Sequence, residues 1–488
     1  MAEIAWISLD RAELPGDVWP SVAASVANSA ARAGVPLRDC IVLVPFAQLL
    51  PLAHRAFAQL GAWMPRVETT STLATSLGPL PSPGPGDLTF ETAVDALNAE
   101  AMLARQSWGR FWARRDSHGF RNAAVHVANT AHAFARAAHA IAPQARSSYF
   151  VRGRELLVPM DGLGARERAL ARIALEWAAA FGDSPATDRL FALRPAAWFA
   201  VSAGGRDPLT LNLFDAAQGP TLCAIVDLDT GLGEGSALRP PPCEATLVVC
   251  EDFEDEAQCT AAQVLSALAQ GCRPVALVAQ DRVLVRRVRA LLERESVIIR
   301  DETGWKLATT RAAGLVMALL LAAQPEASTD ALFDWLKAGP RWHAAGQPLD
   351  ETIGALEAQC RKSSVSRISM LSNLAVEPRS AVLLRHALAC LHEFTAGGAR
   401  ALRFWASALA AALRTCDAWE SLRRDDAGRQ VLAALGLKTE DAARSGSSAA
   451  EHLVLTLDEF TRWVDVALES ANFLPQSMPD ATRTPIDV

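Results

Sequence analysis

Twice along this chain, a run of alternating strand-like and helix-like segments gives way to a long stretch in which only helical spacing survives. That double alternation excludes most architectures. Short β-branched apolar runs separated by amphipathic helices call for parallel strands, since parallel neighbours need a crossover and cannot be joined by a tight turn. The first block holds strands at Ile4–Leu9 and Ile41–Val44, with a helix over Val18–Ala33 that Gly34 ends. Pro45 closes the second strand, Gln48–Leu60 reads as helix up to Gly61, and Val67–Thr70 is a third strand.

After the proline- and glycine-rich stretch Pro79–Asp87 the texture changes. Helices are expected at Thr89–Leu103 with Thr89 as its cap, at Asn122–Ile141 and at Ala165–Phe181. Strand character returns at Trp198–Val201 and Leu222–Asp227, and a second linker follows at Gly231–Pro242. A fresh block then places strands at Ala245–Cys250, Pro274–Ala279 and Val297–Ile299, and helices at Asp255–Ala269, Arg282–Glu293 and Thr310–Ala323. Helical spacing alone runs from Ser328 to Leu468, with loops at Ser363–Leu374 and Arg444–Ser448. The fold class expected is α/β, with two parallel-sheet domains that each carry a large all-helical insertion. The first sheet domain takes residues 1–87 and 196–235, with 88–195 inserted. The second takes 243–325, followed by its insertion over 326–470. Residues 471–488 form a return segment whose Pro-Ile-Asp-Val end approaches another strand, so the chain is expected to continue past Val488.

A length of 488 residues exceeds what one hydrophobic core organises, which agrees with this division. The net charge of −7 carries no global signature of nucleic-acid binding, although a local basic surface is compatible with it. The N-terminus lacks the basic start of a secretory signal. The longest apolar run, Ala312–Ala323, is too short to span a bilayer, so a cytoplasmic protein without membrane contact is expected. Nine cysteines lie between Cys40 and Cys416 with no C-x-x-C pair, the pattern of buried reduced thiols rather than of a metal site.

Local sequence adds a resemblance. Glu254-Asp255-Glu256-Ala257 and its helix, Pro274–Ala279, Asp281-Arg282, Arg286–Leu292 and Arg300–Thr310 (RDETGWKLATT) together resemble the start of the second motor domain in RecB- and AddB-type proteins. Thr69–Leu77 (TTSTLATSL) and Trp198–Asp207 (WFAVSAGGRD) resemble degenerate first-domain segments of the same group, and the duplicated layout resembles superfamily I helicases. The resemblance implies an inactivated helicase region of the AddB-like group, acting in double-strand-break processing and recombinational repair. It further implies single-stranded or forked DNA as one partner, an AddA-type helicase–nuclease subunit as another, and a RecB-type nuclease domain beyond Val488.

The four lysines test the chemistry. A P-loop needs a lysine directly after glycine to reach the phosphates, but Lys306, Lys337, Lys362 and Lys438 follow Trp305, Leu336, Arg361 and Leu437. Where the loop would follow the first strand, the chain reads Asp10-Arg11-Ala12-Glu13-Leu14-Pro15-Gly16. The compact nuclease signature, an acid two residues before a lysine, is also missing: Gly304, Trp335, Cys360 and Gly436 stand there. Asp227 and Asp229 imitate the magnesium-binding end of a Walker B strand without the loop that would give them a nucleotide. The acids Glu251, Asp252, Glu254, Asp255 and Glu256 could bind a metal, but they suit better a solvated loop at the positive end of a helix. His132 and His139 share a helical face with no carboxylate placed beside them. No catalytic residue, cofactor or metal is expected.

Two basic groups remain. Arg105, Arg110, Arg114, Arg115 and Arg121 are interleaved with Trp108, Phe111 and Trp112, a pairing of cations and flat rings that suits phosphates and unstacked bases. Arg282, Arg286 and Arg289 fall on one helix face. Both are candidate DNA contacts. The competing readings are a protein-interaction scaffold that does not touch DNA, and an α/β enzyme that uses the C-terminal edges of its sheets.

Overall fold

The computed structural model describes residues 4–9, 18–78, 86–158, 164–180, 185–217, 221–228, 246–273, 275–297, 299–301, 304–339, 349–395, 397–437, 453–474 and 486–487. The expected loop at 444–448, most of the two linkers and the positions 10–16 lie outside them. Two compact units result: Met1–Phe90 with Met102–Glu244, and Glu91–Ala101 with Ala245–Val488. The fold is α/β with helical insertions, as the spacing implies.

Unit 1 is built on five parallel strands: β1 (Ile4–Ser8), β2 (Cys40–Leu43), β3 (Arg66–Glu68), β4 (Ala197–Ser202) and β5 (Leu222–Asp227). Their order is β1-β5-β4-β2-β3. Every residue of β2 and β4 is buried, because helices cover both faces of the sheet. Successive side chains alternate between the two covers. Val42, Phe199 and Val201 meet Val22 and Phe57 of helices α1 (Trp19–Arg32) and α2 (Leu50–Gln59). Ile41, Trp198 and Ile225 face Leu73 and Phe214, from α3 (Thr70–Ser76) and from a helix that follows β4. The glycines expected to end helices do so with left-handed backbone, Gly34 at φ +71° and Gly61 at +66°.

The insertion supplies α4 (Thr92–Arg105), α5 (Gly109–Arg115), α6 (Ser117–His139), α7 (Arg146–Leu156), α8 (Ala165–Ala180) and α9 (Asp188–Ala192). Its α4 starts later than the capping residue Thr89 suggests. Phe90 stands at φ +60°, outside helical space, and breaks the path between Thr89 and the helix. By contrast, α6 starts earlier than expected, because Asp116 caps it by accepting from the Gly119 N–H at 2.8 Å. Its buried face is mostly alanine (Ala124, Ala128, Ala131, Ala135), which lets α8 approach closely. After β4 the sheet resumes through α10 (Pro208–Ala216).

Unit 2 begins with α11 (Phe253–Ala269) and α12 (Arg282–Arg294), packed through Ala257, Ala261, Val264, Val288 and Leu292. Glu254 and Arg287 join them by a two-pronged ion pair at 2.6 and 2.7 Å. The strands expected on either side of α11 are not seen among the described residues. Ala245 and Pro274 lie outside these, 246–250 pair with nothing described, and within 275–279 only Ala276 makes a single β-bridge. Leu247, Val249 and Val278 are 89%, 85% and 94% exposed. Apolar β-branched sequence shows only that a segment suits a pleated, half-buried surface; it does not say which strand will lie beside it. Next to the third expected strand, Val297–Ile299, the chain forms β6 (Ile299–Arg300), which shares only Ile299 with it. It pairs in parallel with the last strand, Ile486–Asp487, at the Pro-Ile-Asp-Val end of the sequence.

Next come β7 (Trp305–Lys306), α13 (Arg311–Ala322), α14 (Thr329–Ala338), α15 (Leu349–Lys362), α16 (Pro378–His392), β8 (Arg400–Ala401), α17 (Leu402–Thr415), α18 (Ala418–Arg424), α19 (Asp426–Ala434), β9 (Val454–Leu455), α20 (Leu457–Ser470), β10 (Asn472–Phe473) and β11 (Ile486–Asp487). The helices enclose one large core around Trp335, Leu356, Trp405 and Phe460. Ala93 and Val94 of α4 join that core, and Arg462 reaches Glu100. Part of the expected loop 363–374 is a 3-10 turn, Ile368–Asn373, that buries Leu371. Among the described residues no helix is long and apolar enough to cross a membrane.

Candidate nucleic-acid interface

The first basic group is brought together by a tight corner. Gly109 opens α5, and a Cβ there would stand 1.8 Å from the Leu103 carbonyl oxygen, so only glycine lets the chain turn so closely onto the end of α4. The turn sets Arg105 beside a short helix that presents Arg110 and Arg114 one turn apart. Asp116 then ends α5 and caps α6, holding Arg115 at the helix end. Arg105, Arg110, Arg114, Arg115 and Arg121 are all exposed, and none has an ion-pair partner among the described residues.

Aromatic rings underpin this surface. Trp112 sits edge-on to the buried Phe120 at 5.7 Å, with the Arg166 guanidinium 5.1 Å from its ring centre. Trp108 lies 6.0 Å from Trp112, and Phe111 stands 66% exposed. One ring is thus anchored, one is half-buried and one is free, beside five cations whose charge nothing local neutralises. Such an arrangement can neutralise phosphates and stack a flat base.

The second basic group is committed within unit 2. Arg282 pairs with Asp301, whose side chain is 1% exposed, and also donates to the Gly304 carbonyl at 2.7 Å. Arg286 donates to the Thr309 hydroxyl at 3.1 Å and lies 5.2 Å over Trp305. Arg289 donates to Glu293 at 2.6 Å and lies 5.7 Å from the same ring. Helical spacing placed the three on one face correctly, and the Glu293 partner of Arg289 is one turn away, but Asp301, Trp305 and Thr309 lie in a later segment that spacing does not reveal.

A cavity of about 350 Å³ opens at the C-terminal edge of the five-stranded sheet. Trp6, Phe46, Ser202, Arg206 and Thr210 are among its walls. The Arg206 guanidinium stacks 4.7 Å from the Trp6 ring. Asp207 caps α10 and accepts from the Thr210 hydroxyl at 2.7 Å, and Ser202 donates to the Gly205 carbonyl at 3.1 Å. The walls offer flat apolar surface and one cation, with the Ser202 and Thr210 hydroxyls already engaged. The cavity was not visible in the sequence; its only signal was Gly-Gly-Arg-Asp-Pro directly after a strand, a turn followed by a helix cap. Asp227 ends β5 at this edge, while Asp229 lies outside the described residues.

The histidine pair holds a ring rather than a metal ligand set. His132 and His139 both meet Phe90, at 5.2 and 5.8 Å between ring centres. Burial, reinforced by the nearby Arg146 and opposed by Asp188, lowers the His139 pKa to about 4. The fold therefore favours the neutral ring. Above the ordinary histidine pKa neither state is charged, and stability does not depend on this group. As pH falls from about 6.5 towards 4 the unfolded chain takes a proton that the folded one refuses, so unit 1 loses stability across that window. His139→Gln should remove this part of the loss, about 1–2 kcal/mol after allowing for the ring's partial solvation. Urea midpoints at several pH values would show it, and an unchanged pH slope in the variant would contradict the assignment.

No protein-family model and no curated protein matches this chain.

Proposed function

We propose that the chain is a non-catalytic, inactivated superfamily I helicase-like scaffold that binds DNA, of the kind found in AddB/RecB-type exonucleases that process double-strand breaks for recombinational repair. One observation carries this reading: the α5 surface, where five unpaired arginines surround Trp108, Phe111 and Trp112. Helical insertions on a doubly wound α/β core are compatible with it, as is the lack of a Gly-Lys pair anywhere in the sequence. In this reading an AddA-type helicase–nuclease supplies ATP-driven movement, and the scaffold contributes DNA contacts. Arg282, Arg286 and Arg289 contribute through the folding of unit 2.

The test is equilibrium binding of single-stranded and forked oligonucleotides by fluorescence anisotropy. At about 50 mM salt the wild-type chain should bind, and combined Arg110→Ala, Arg114→Ala and Arg115→Ala should weaken binding at least about tenfold and flatten the salt dependence by roughly 0.7 per lost contact. Phe111→Ala should weaken single-stranded DNA by about 1–3 kcal/mol if a base stacks on it. These side chains are exposed, so folding stability should move by less than about 0.5 kcal/mol. Wild-type binding no better than that of an acidic control protein would end the DNA reading and favour a protein-interaction scaffold.

The sheet-edge cavity supports a second reading, a binding protein or enzyme for a small planar ligand. A ligand-specific rise in melting temperature that Trp6→Ala abolishes would favour it.

A further inference from the structure

Cys250, Asp255 and Cys259 bring two sulfurs and a carboxylate oxygen within 4.8 Å of one another, all three half-buried. Local structure causes this convergence. Asp255 and Cys259 lie one turn apart at the start of α11 and so share a face. Asp252 caps the helix by accepting from the Asp255 N–H at 2.9 Å. Asp255 in turn reaches back and accepts from the Glu251 N–H at 2.9 Å through Oδ2. That bond draws the segment carrying Cys250 over the first turn and leaves Oδ1 facing the Cys259 sulfur at 3.5 Å.

We propose that these three side chains bind a thiophilic divalent cation of the zinc class, with a water or a further ligand in the fourth position. Two thiolates and a carboxylate form a donor set that selects zinc over the hard cations magnesium and calcium. Around a tetrahedral zinc, with Zn–S of about 2.3 Å and Zn–O of about 2.0 Å, donor atoms stand roughly 3.5–4 Å apart, so the cluster needs only a slight contraction. The surroundings favour a cation. Glu251, Asp252 and Glu256 crowd the same turn, whereas Glu254 is taken by Arg287. The other touching pair, Cys390 and Cys416, is fully buried, and among the described residues no third ligand atom converges on it. Binding would join residue 250 to α11 and tie down the extended segment 246–250, a structural role independent of the DNA reading.

The full chain, reduced and stripped with a chelator, would be titrated with cobalt(II) as a spectroscopic stand-in for zinc. One cobalt per chain should bind with thiolate charge-transfer absorption and tetrahedral visible bands, and excess zinc should bleach both. Cys250→Ser and Cys259→Ser should each abolish the bands, while Cys272→Ser, at an exposed cysteine outside the cluster, should leave them intact. Because a serine variant could fail to fold, the unaltered chain gives a second readout: bound zinc should protect Cys250 and Cys259, but not Cys272, from alkylation mapped by mass spectrometry. Absence of the charge-transfer band, its survival in Cys259→Ser, or a Cys250–Cys259 disulfide in a protein that binds no cobalt after reduction would each overturn the proposal.

Discussion

Gly304→Ala is expected to destabilise unit 2 by about 3 kcal/mol or more. Gly304 stands at φ +63°, and a Cβ built there meets the Phe473 carbonyl oxygen at 2.0 Å. The left-handed conformation alone disfavours alanine by roughly 1–2 kcal/mol. The clash is worse, because it is with backbone: β10 would have to leave β7, and the Trp305–Phe473 ring contact at 4.9 Å would go with it. Gly304 also donates to Asp301 at 2.9 Å and accepts from Arg282, so shifting it disturbs an ion pair whose carboxylate is buried. Gly314→Ala is the matched control. It lies inside α13 with open space around it, and should stabilise by about 0.5–1 kcal/mol through helix propensity. Denaturant melts of both variants decide the matter, and a Gly304→Ala midpoint within error of wild type would show that the turn can relax.

Trp405→Ala should cost about 3–5 kcal/mol, and Trp405→Phe about 1–3. Trp405 is 1% exposed, and its indole N–H donates to the Leu455 carbonyl at 2.7 Å. It begins a stack that runs through Phe460 at 6.2 Å to Trp463 a further 5.9 Å on. Phenylalanine keeps the stack but leaves a buried carbonyl without its donor. Trp463 separates these terms, since its own indole N–H has no partner among the described residues. Trp463→Phe should therefore cost less than about 1 kcal/mol, or even stabilise, because it removes an unpaired buried donor. Equal losses for the two phenylalanine variants would mean that ring volume, not the hydrogen bond to β9, dominates here.

Features set by neighbours in the chain were legible, and features set by distant partners were not. Strand β5 lies where its apolar run lies, and Gly34 and Gly61 stop helices because each stop is decided within one turn. The arginine and tryptophan surface of α5 was readable for the same reason: Trp108, Arg110, Trp112 and Arg114 are positioned by one helix. Arg282 shows the opposite case. Its helical face was evident, but its partner Asp301 belongs to a later strand and turn. Segments 246–250 and 275–279 have strand composition, yet among the described residues only Ala276 makes a β-bridge, because composition carries no information about what lies alongside. The Cys250–Asp255–Cys259 cluster escaped notice because its spacing matches no short metal motif and depends on the chain folding back over α11.

The central seam of the five-stranded sheet has a consequence for how unit 1 is reached in time. Ile41 pairs with Trp198, so β2 and β4 meet only after the whole inserted set of helices has been bridged. Closing a longer loop adds little entropy, about 0.6 kcal/mol per doubling of length, so the insertion scarcely weakens the finished sheet. Its burden is kinetic: contacts so distant in sequence slow folding, and the apolar edge of β2 waits unpaired while the helices form. In a cell, the insertion is thus cheap to keep and slow to accommodate, and newly made chains would depend on early helix formation to bring β4 home before β2 finds another strand.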